Sequence, residues 1–94
     1  MATYIMIGKY SIDAIGKISP ARTKNAKAII SDSGGELKAG YAMLGQKDLL
    51  LIVEYPNVEK AMKASTTLSK ELGIGFNTAP ALSIEDFDKL IGGK

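Results

Sequence analysis

The sequence predicts an α+β domain, a four-stranded antiparallel sheet in βαββαβ order with two helices over one face. Three observations carry this expectation. Residues 3–9 are rich in β-branched and aromatic types. Two apolar stretches, 36–44 and 49–55, flank a short turn at Gly45-Gln46-Lys47-Asp48. A stripe of apolar and small residues at helical spacing runs from Val58 to Leu72.

Each element has a local reason. The first strand covers residues 3–9 and stops at Lys9-Tyr10-Ser11. Residues 11–18 read as a loop with one helical turn. Ser19-Pro20 starts a helix, because Ser caps free amides and Pro lacks only a donor that would be orphaned there. This helix places Arg22, Ala26, Ile29, Ile30 and Ser33 on one face and ends at Gly34-Gly35. The stretches 36–44 and 49–55 form a β-hairpin closed by residues 45–48. Pro56 ends the third strand and Asn57 caps the second helix. Its stripe is Val58, Ala61, Met62, Ser65, Leu68, Ser69 and Leu72, with Gly73 as the stop. Residues 74–79 form the fourth strand. Pro80 removes a ladder donor and so assigns that strand to a sheet edge. Ser83, with Asp86 three residues on, starts a last short helix through Ile91.

Right-handed crossovers bring both helices to one side and give the strand order 4-1-3-2, the ferredoxin-like plait. The remaining face should then be polar in a soluble monomer. It is not. The third strand alternates Leu49, Leu51, Val53, Tyr55 with Leu50, Ile52, Glu54. The first alternates Tyr4, Met6, Gly8, Tyr10 with Ile5, Ile7, Lys9, and the second Leu37, Ala39, Tyr41, Met43 with Lys38, Gly40, Ala42, Leu44. Such a sheet presents roughly 400 Å² per face. Pairing two faces removes at least roughly 800 Å² from water, a gain of ~13–20 kcal/mol against an association cost of ~4–15 kcal/mol. A two-fold homodimer with sheets packed face to face is therefore expected.

Composition narrows the chemistry. The chain has 94 residues, 46% apolar and 23% charged, which suits one domain over 1–94. Twelve basic and ten acidic side chains give +2, too little to argue for nucleic acid or an anionic membrane. With no histidine and no cysteine, disulfides, thiolate zinc sites, His-ligated haem and Ser-His or Cys-His relays are excluded. No cofactor and no metal are expected. The apolar run 49–53 is far short of a membrane span, and the start MATYIMIGKY does not read as a signal peptide, so a cytoplasmic location is expected.

Four residues stand out as ligand-binding candidates. Asp48 either serves as a carboxylate base at the end of the hairpin or bonds the backbone of its own turn. Tyr41, between Gly40 and Ala42, either orients a ligand through its hydroxyl or packs in the core. Tyr10 and Arg22 either converge on an anionic group near the start of the first helix or leave Arg22 as a surface charge. The stretch 40–47 is not a phosphate loop, because a strand follows where a helix is needed and the Ser/Thr is absent. RNA binding is discounted, since the third strand, LLLIVEY, lacks central aromatics.

Four stretches, MATYIMIGKYS, YAMLGQKDLLLIVEYP, AMKASTTLSKELGI and ALSIEDFDKLI, resemble the GYD-domain family, related to the dimeric α/β-barrel superfamily. The resemblance implies a ferredoxin-like protomer that pairs through its sheet. It implies no established activity. The family's naming motif carries an aromatic residue before the Asp, where this chain has Lys47. Two functions follow as expectations. One is a homo-oligomeric module that binds a small apolar or aromatic molecule or another partner. The other is a cofactor-free enzyme, monooxygenase- or isomerase-like, acting on such a molecule.

Overall fold

The computed structural model describes residues 1–93. The chain starts with β1 (Ala2–Tyr10), a single turn α1 (Ile12–Ile15) and α2 (Pro20–Asp32). The hairpin β2 (Glu36–Ala42) and β3 (Leu49–Tyr55) follows, then α3 (Val58–Leu72), β4 (Ile74–Ala81) and α4 (Ile84–Gly92). The sheet order is β2-β3-β1-β4, with every neighbouring pair antiparallel. This is the expected plait.

Its helix boundaries are local chemistry. Ser19 Oγ accepts from the Arg22 amide at 3.2 Å, and Asn57 Oδ1 accepts from the Lys60 amide at 2.9 Å. Gly73 ends α3 at φ 68°, a left-handed conformation that glycine adopts without strain. Helices α2 and α3 lie over one face, where Ile30, Ala61, Ala64 and Leu68 meet Tyr4, Met6, Leu51, Val53 and Tyr55.

Three details depart from the expected pattern. The stripe of α3 is turned: Ala61, Ala64, Leu68 and Leu72 are buried, whereas Val58 and Met62 are exposed. Two alanines let the helix backbone approach the sheet closely, and that approach sets which side faces inwards. Strand β2 stops at Ala42 rather than running to residue 44, so the connection is 43–48, held by the Met43 amide donating to the Asp48 carbonyl at 2.8 Å. The register of β2 also slips between Leu37 and Ala39. This bulge at Lys38 reverses the alternation beyond it. Leu37 stays on the helix side, Gly40 pairs with Leu51, and Ala39 and Tyr41 pair with Ile52 and Leu50 on the helix-free face.

That face is now defined by register. Tyr41, Leu50, Ile7 and Asn77 form one row, and Ala39, Ile52, Ile5 and Ala79 the next. Ile5, Ile7, Leu50 and Ile52 are half-buried by their strand neighbours and lie outside the core cluster. No helix among the described residues is long and apolar enough to cross a membrane.

Tyr55 locks the two helices' side of the sheet. Its ring is fully buried and lies against Gly35, where a Cβ would collide with it. Its hydroxyl meets Ser33 Oγ at 2.9 Å and donates to the Ile30 carbonyl at 3.4 Å, tying β3 to the end of α2. Burial pushes the phenol above its ordinary 10.0, more than the Ser33 hydrogen bond lowers it. In the unfolded chain the proton leaves first, so this group's contribution is complete below pH 10 and is lost as pH rises beyond it. Tyr55→Phe is expected to cost about 1 kcal/mol at pH 7 in urea unfolding. It is also expected to make the loss of stability above pH 10 less steep; an unchanged alkaline slope counts against this account.

Candidate functional site

Strand β1 ends where α2 begins, and this corner gathers three of the four candidate residues. Tyr10 is the last residue of β1 and pairs with Ile74 at the start of β4. Arg22 sits in the first turn of α2, with its Cζ 5.8 Å from the centre of the Tyr10 ring, a cation–π distance. Its Nη1 donates to the Ala14 carbonyl at 2.6 Å and its Nη2 donates to the Leu72 carbonyl. Leu72 closes α3, so the guanidinium satisfies an orphaned carbonyl at the negative end of that helix. One side chain thus joins α1, α2, α3 and β1. It is not a loose surface charge, and two of its donors are already committed.

Asp48 bonds something other than its own turn. Its Oδ2 accepts from the Tyr10 amide at 2.9 Å, and its own amide donates to the Gly8 carbonyl at 2.9 Å. The hairpin connection lies alongside the end of β1, and Asp48 continues the β1–β3 ladder there with a side-chain oxygen. Lys9 Nζ stands 4.0 Å from the same Oδ2, a half-exposed pair of small energetic weight.

Tyr41 lies apart from this corner. It is on edge strand β2, 61% exposed, and its register partner is Leu50 on the helix-free face. It is not a core tyrosine.

Between α2 and the sheet the packing is incomplete. A partly open cavity of about 80 Å³ is lined by residues that include Tyr10, Arg22, Ile30, Leu49, Leu72 and Phe76. That is well below the ~300 Å³ of a typical small-molecule pocket. Beside it an open groove of about 750 Å³ runs between α2 and β2. Its floor is Leu37, Leu49 and Leu51, with Lys27 on α2, Ile18 in the loop that precedes it and Tyr10 also in the lining, while Tyr41 borders it from β2. Thr23, Lys27, Ser31, Glu36 and Lys38 add polar and charged groups of both signs to this apolar floor. Among the described residues no group of His, Cys, Asp and Glu is placed to hold a metal ion.

Leu37, Leu49 and Phe76 were not among the residues marked by the sequence. For Phe76 a signal existed in Gly8, its partner across the ladder, where a Cβ would lie 2.6 Å from the ring. The glycine makes room for the ring.

The corner makes a direct prediction. Arg22→Ala removes the side-chain donor to the Leu72 carbonyl, while the Ala14 carbonyl keeps the Lys17 amide at 3.0 Å, and is expected to cost about 1–3 kcal/mol in urea unfolding. Arg22→Lys is expected to recover little, since one ammonium does not span both acceptors. Asp48→Asn keeps an acceptor for the Tyr10 amide and is expected to be milder than Asp48→Ala.

Comparison with known proteins gives a family and a fold. No curated protein matches the chain. The crystal structure of the Mycobacterium tuberculosis leucine response regulatory protein is similar, with a TM-score of 0.57 and 8% identity. The match covers 87% of this chain and 51% of that one, so this chain spans about half the length of that regulator. At that identity the likeness is one of fold. The model of the GYD domain matches residues 4–91, nearly the whole length, and the chain belongs to the GYD-domain family.

Proposed function

We propose that this protein is a homo-oligomeric module that binds a small apolar or aromatic molecule, or a protein partner, with two copies packed through their helix-free sheet faces. The observation that carries the reading is the pair of rows built on Ile5, Ile7, Leu50 and Ile52. A contiguous apolar surface of this kind marks an interaction site. The likeness to a leucine response regulatory protein supports it at the level of fold.

The α2–β2 groove is the ligand site in this reading. Its volume of about 750 Å³ falls within the ~300–1,000 Å³ range for small-molecule sites. Its apolar floor favours an aliphatic or aromatic body, and Lys27 at its edge favours a weakly anionic end. Catalysis is the less supported alternative. The Arg22 guanidinium and the Asp48 carboxylate both hold backbone groups, which leaves them less available for proton transfer. A cytoplasmic location belongs to the same proposal.

Light scattering at micromolar concentration tests the pairing. The expected mass is twice the 10.0 kDa of the chain, falling to the single-chain value in Ile52→Glu. A wild-type protein that stays at single-chain mass overturns the pairing. A thermal-shift screen of aromatic and aliphatic acids tests the groove. Stabilisation by a member of the set, lost when Leu37→Trp fills the floor, is the expected result; no stabilisation by any member counts against a ligand of this class.

A further inference from the structure

Helix α4 is well formed and does nothing within its own chain. Ser83 caps it, its Oγ accepting from the Asp86 amide at 3.1 Å, and Gly93 ends it at φ 71°. Ile84, Phe87, Leu90 and Ile91 recur at helical spacing along one side, yet they are 51–79% exposed and no residue of the helix is buried. A free helix of nine residues is marginal in water. Its first turn borders a shallow hollow with Ala2, Thr3, Pro80 and Ala81, and the rest projects. The chain is accordingly long, 49 Å in its greatest extent, with a radius of gyration of 14.2 Å where ~12 Å is usual for this length.

The molecule also has a place for such a helix. The α2–β2 groove is an open trough with an apolar floor, Lys27 on its helix border, and Lys38 on its strand border beside Glu36, whose carboxylate stands 3.7 Å from Lys38 Nζ. Helix α4 carries Glu85, Asp86 and Asp88 against Lys89 alone. The apolar side of α4 suits the leucine floor, and Lys27 offers its acidic side a cation. Within one chain the two do not meet, because α4 follows β4 and the groove flanks β2, the opposite edge of the sheet.

A second copy removes that obstacle. Ala81, Thr3, Glu54 and Glu36 lie in one cross-strand row, so the end of β4 and the start of β2 are at the same end of the sheet. When two sheets pack face to face about a two-fold axis running along the strands, the last residue of β4 in one copy comes over the first residue of β2 in the other. We propose that α4 is an exchanged arm: it reaches around β2 of a second copy and closes the part of that copy's α2–β2 groove nearest the start of β2, its apolar side over Leu37 and its acidic side towards Lys27. This rests on the sheet pairing proposed above, and it makes the ligand groove a site built from two chains.

Area supports the same occupant. The two sheet faces supply at least roughly 800 Å² as flat areas, against the ~1,200 Å² at which stable interfaces begin. Four large apolar side chains per arm, each contributing on the order of 100 Å², and the surface they cover carry the pair past that threshold.

The absence of native cysteine makes the test clean. Two single variants, Leu90→Cys and Lys38→Cys, are purified, one bearing an affinity tag, then mixed and treated with a short bismaleimide. The expected product is a mixed pair in high yield, well above the same-variant pairs formed by either protein alone. Light scattering on the untreated samples reads the dimer independently. A dimer that yields no mixed pair overturns the arm and leaves the sheet pairing standing. Monomeric samples overturn both. In a second arm, Leu90→Glu is expected to weaken dimerisation at least about tenfold with unchanged circular dichroism, and an unchanged dissociation constant also overturns the proposal.

Discussion

A sheet that is apolar on both sides, with helices enough for only one, sets the terms for this molecule. The helix side is filled by Tyr4, Met6, Leu51, Val53 and Tyr55 under α2 and α3. The opposite side carries Ile5, Ile7, Leu50 and Ile52 in register across the two central strands. Alternation has a period of two, so a strand with a greasy residue at every position offers such residues to both sides. The described residues provide two layers and leave the second face of the sheet without a helix over it. The proposed pairing of sheets is the simplest source of a third layer.

Within one chain, the corner around Arg22 does the complementary work. Apolar contact, which resists sliding poorly because it has no direction, fastens the two covering helices to the sheet, and few directed bonds add to it: the Tyr55 hydroxyl to the end of α2 and Thr78 to Ser65 of α3. The guanidinium reaches carbonyls in α1 and at the end of α3 while it lies over the Tyr10 ring. Asp48 then fixes Tyr10 from the other side through its backbone amide. Hairpin, first strand and helix layer are thereby held in one register, and the walls of the α2–β2 groove are positioned by the same bonds.

How much of this was legible in the sequence depends on the range of each interaction. The caps at Ser19, Asn57 and Ser83 and the stop at Gly73 act over three or four residues, and they fell where the local reading put them. The alternation of β1 and β3, and the edge position that Pro80 implied for β4, were equally visible. The bulge at Lys38 was not, because Ala39 and Gly40 are small enough to suit either side and leave the slip unmarked. The bond from the Tyr10 amide to Asp48 spans 38 residues, and Arg22 chooses two backbone carbonyls, acceptors that every residue type possesses. No pattern of side chains announces such partners. The α2–β2 groove was hidden for the same reason: it is defined by what fails to pack.

The slip at Lys38 and the ring of Pro80 share one result. They interrupt the two outer strands, β2 and β4, whose free amides and carbonyls would otherwise template another strand. A kinked border on one side and a missing donor on the other make lateral growth into a continuous ribbon costly. The greasy surface can then be satisfied by stacking but hardly by endless side-to-side extension, which favours a closed particle over a fibre.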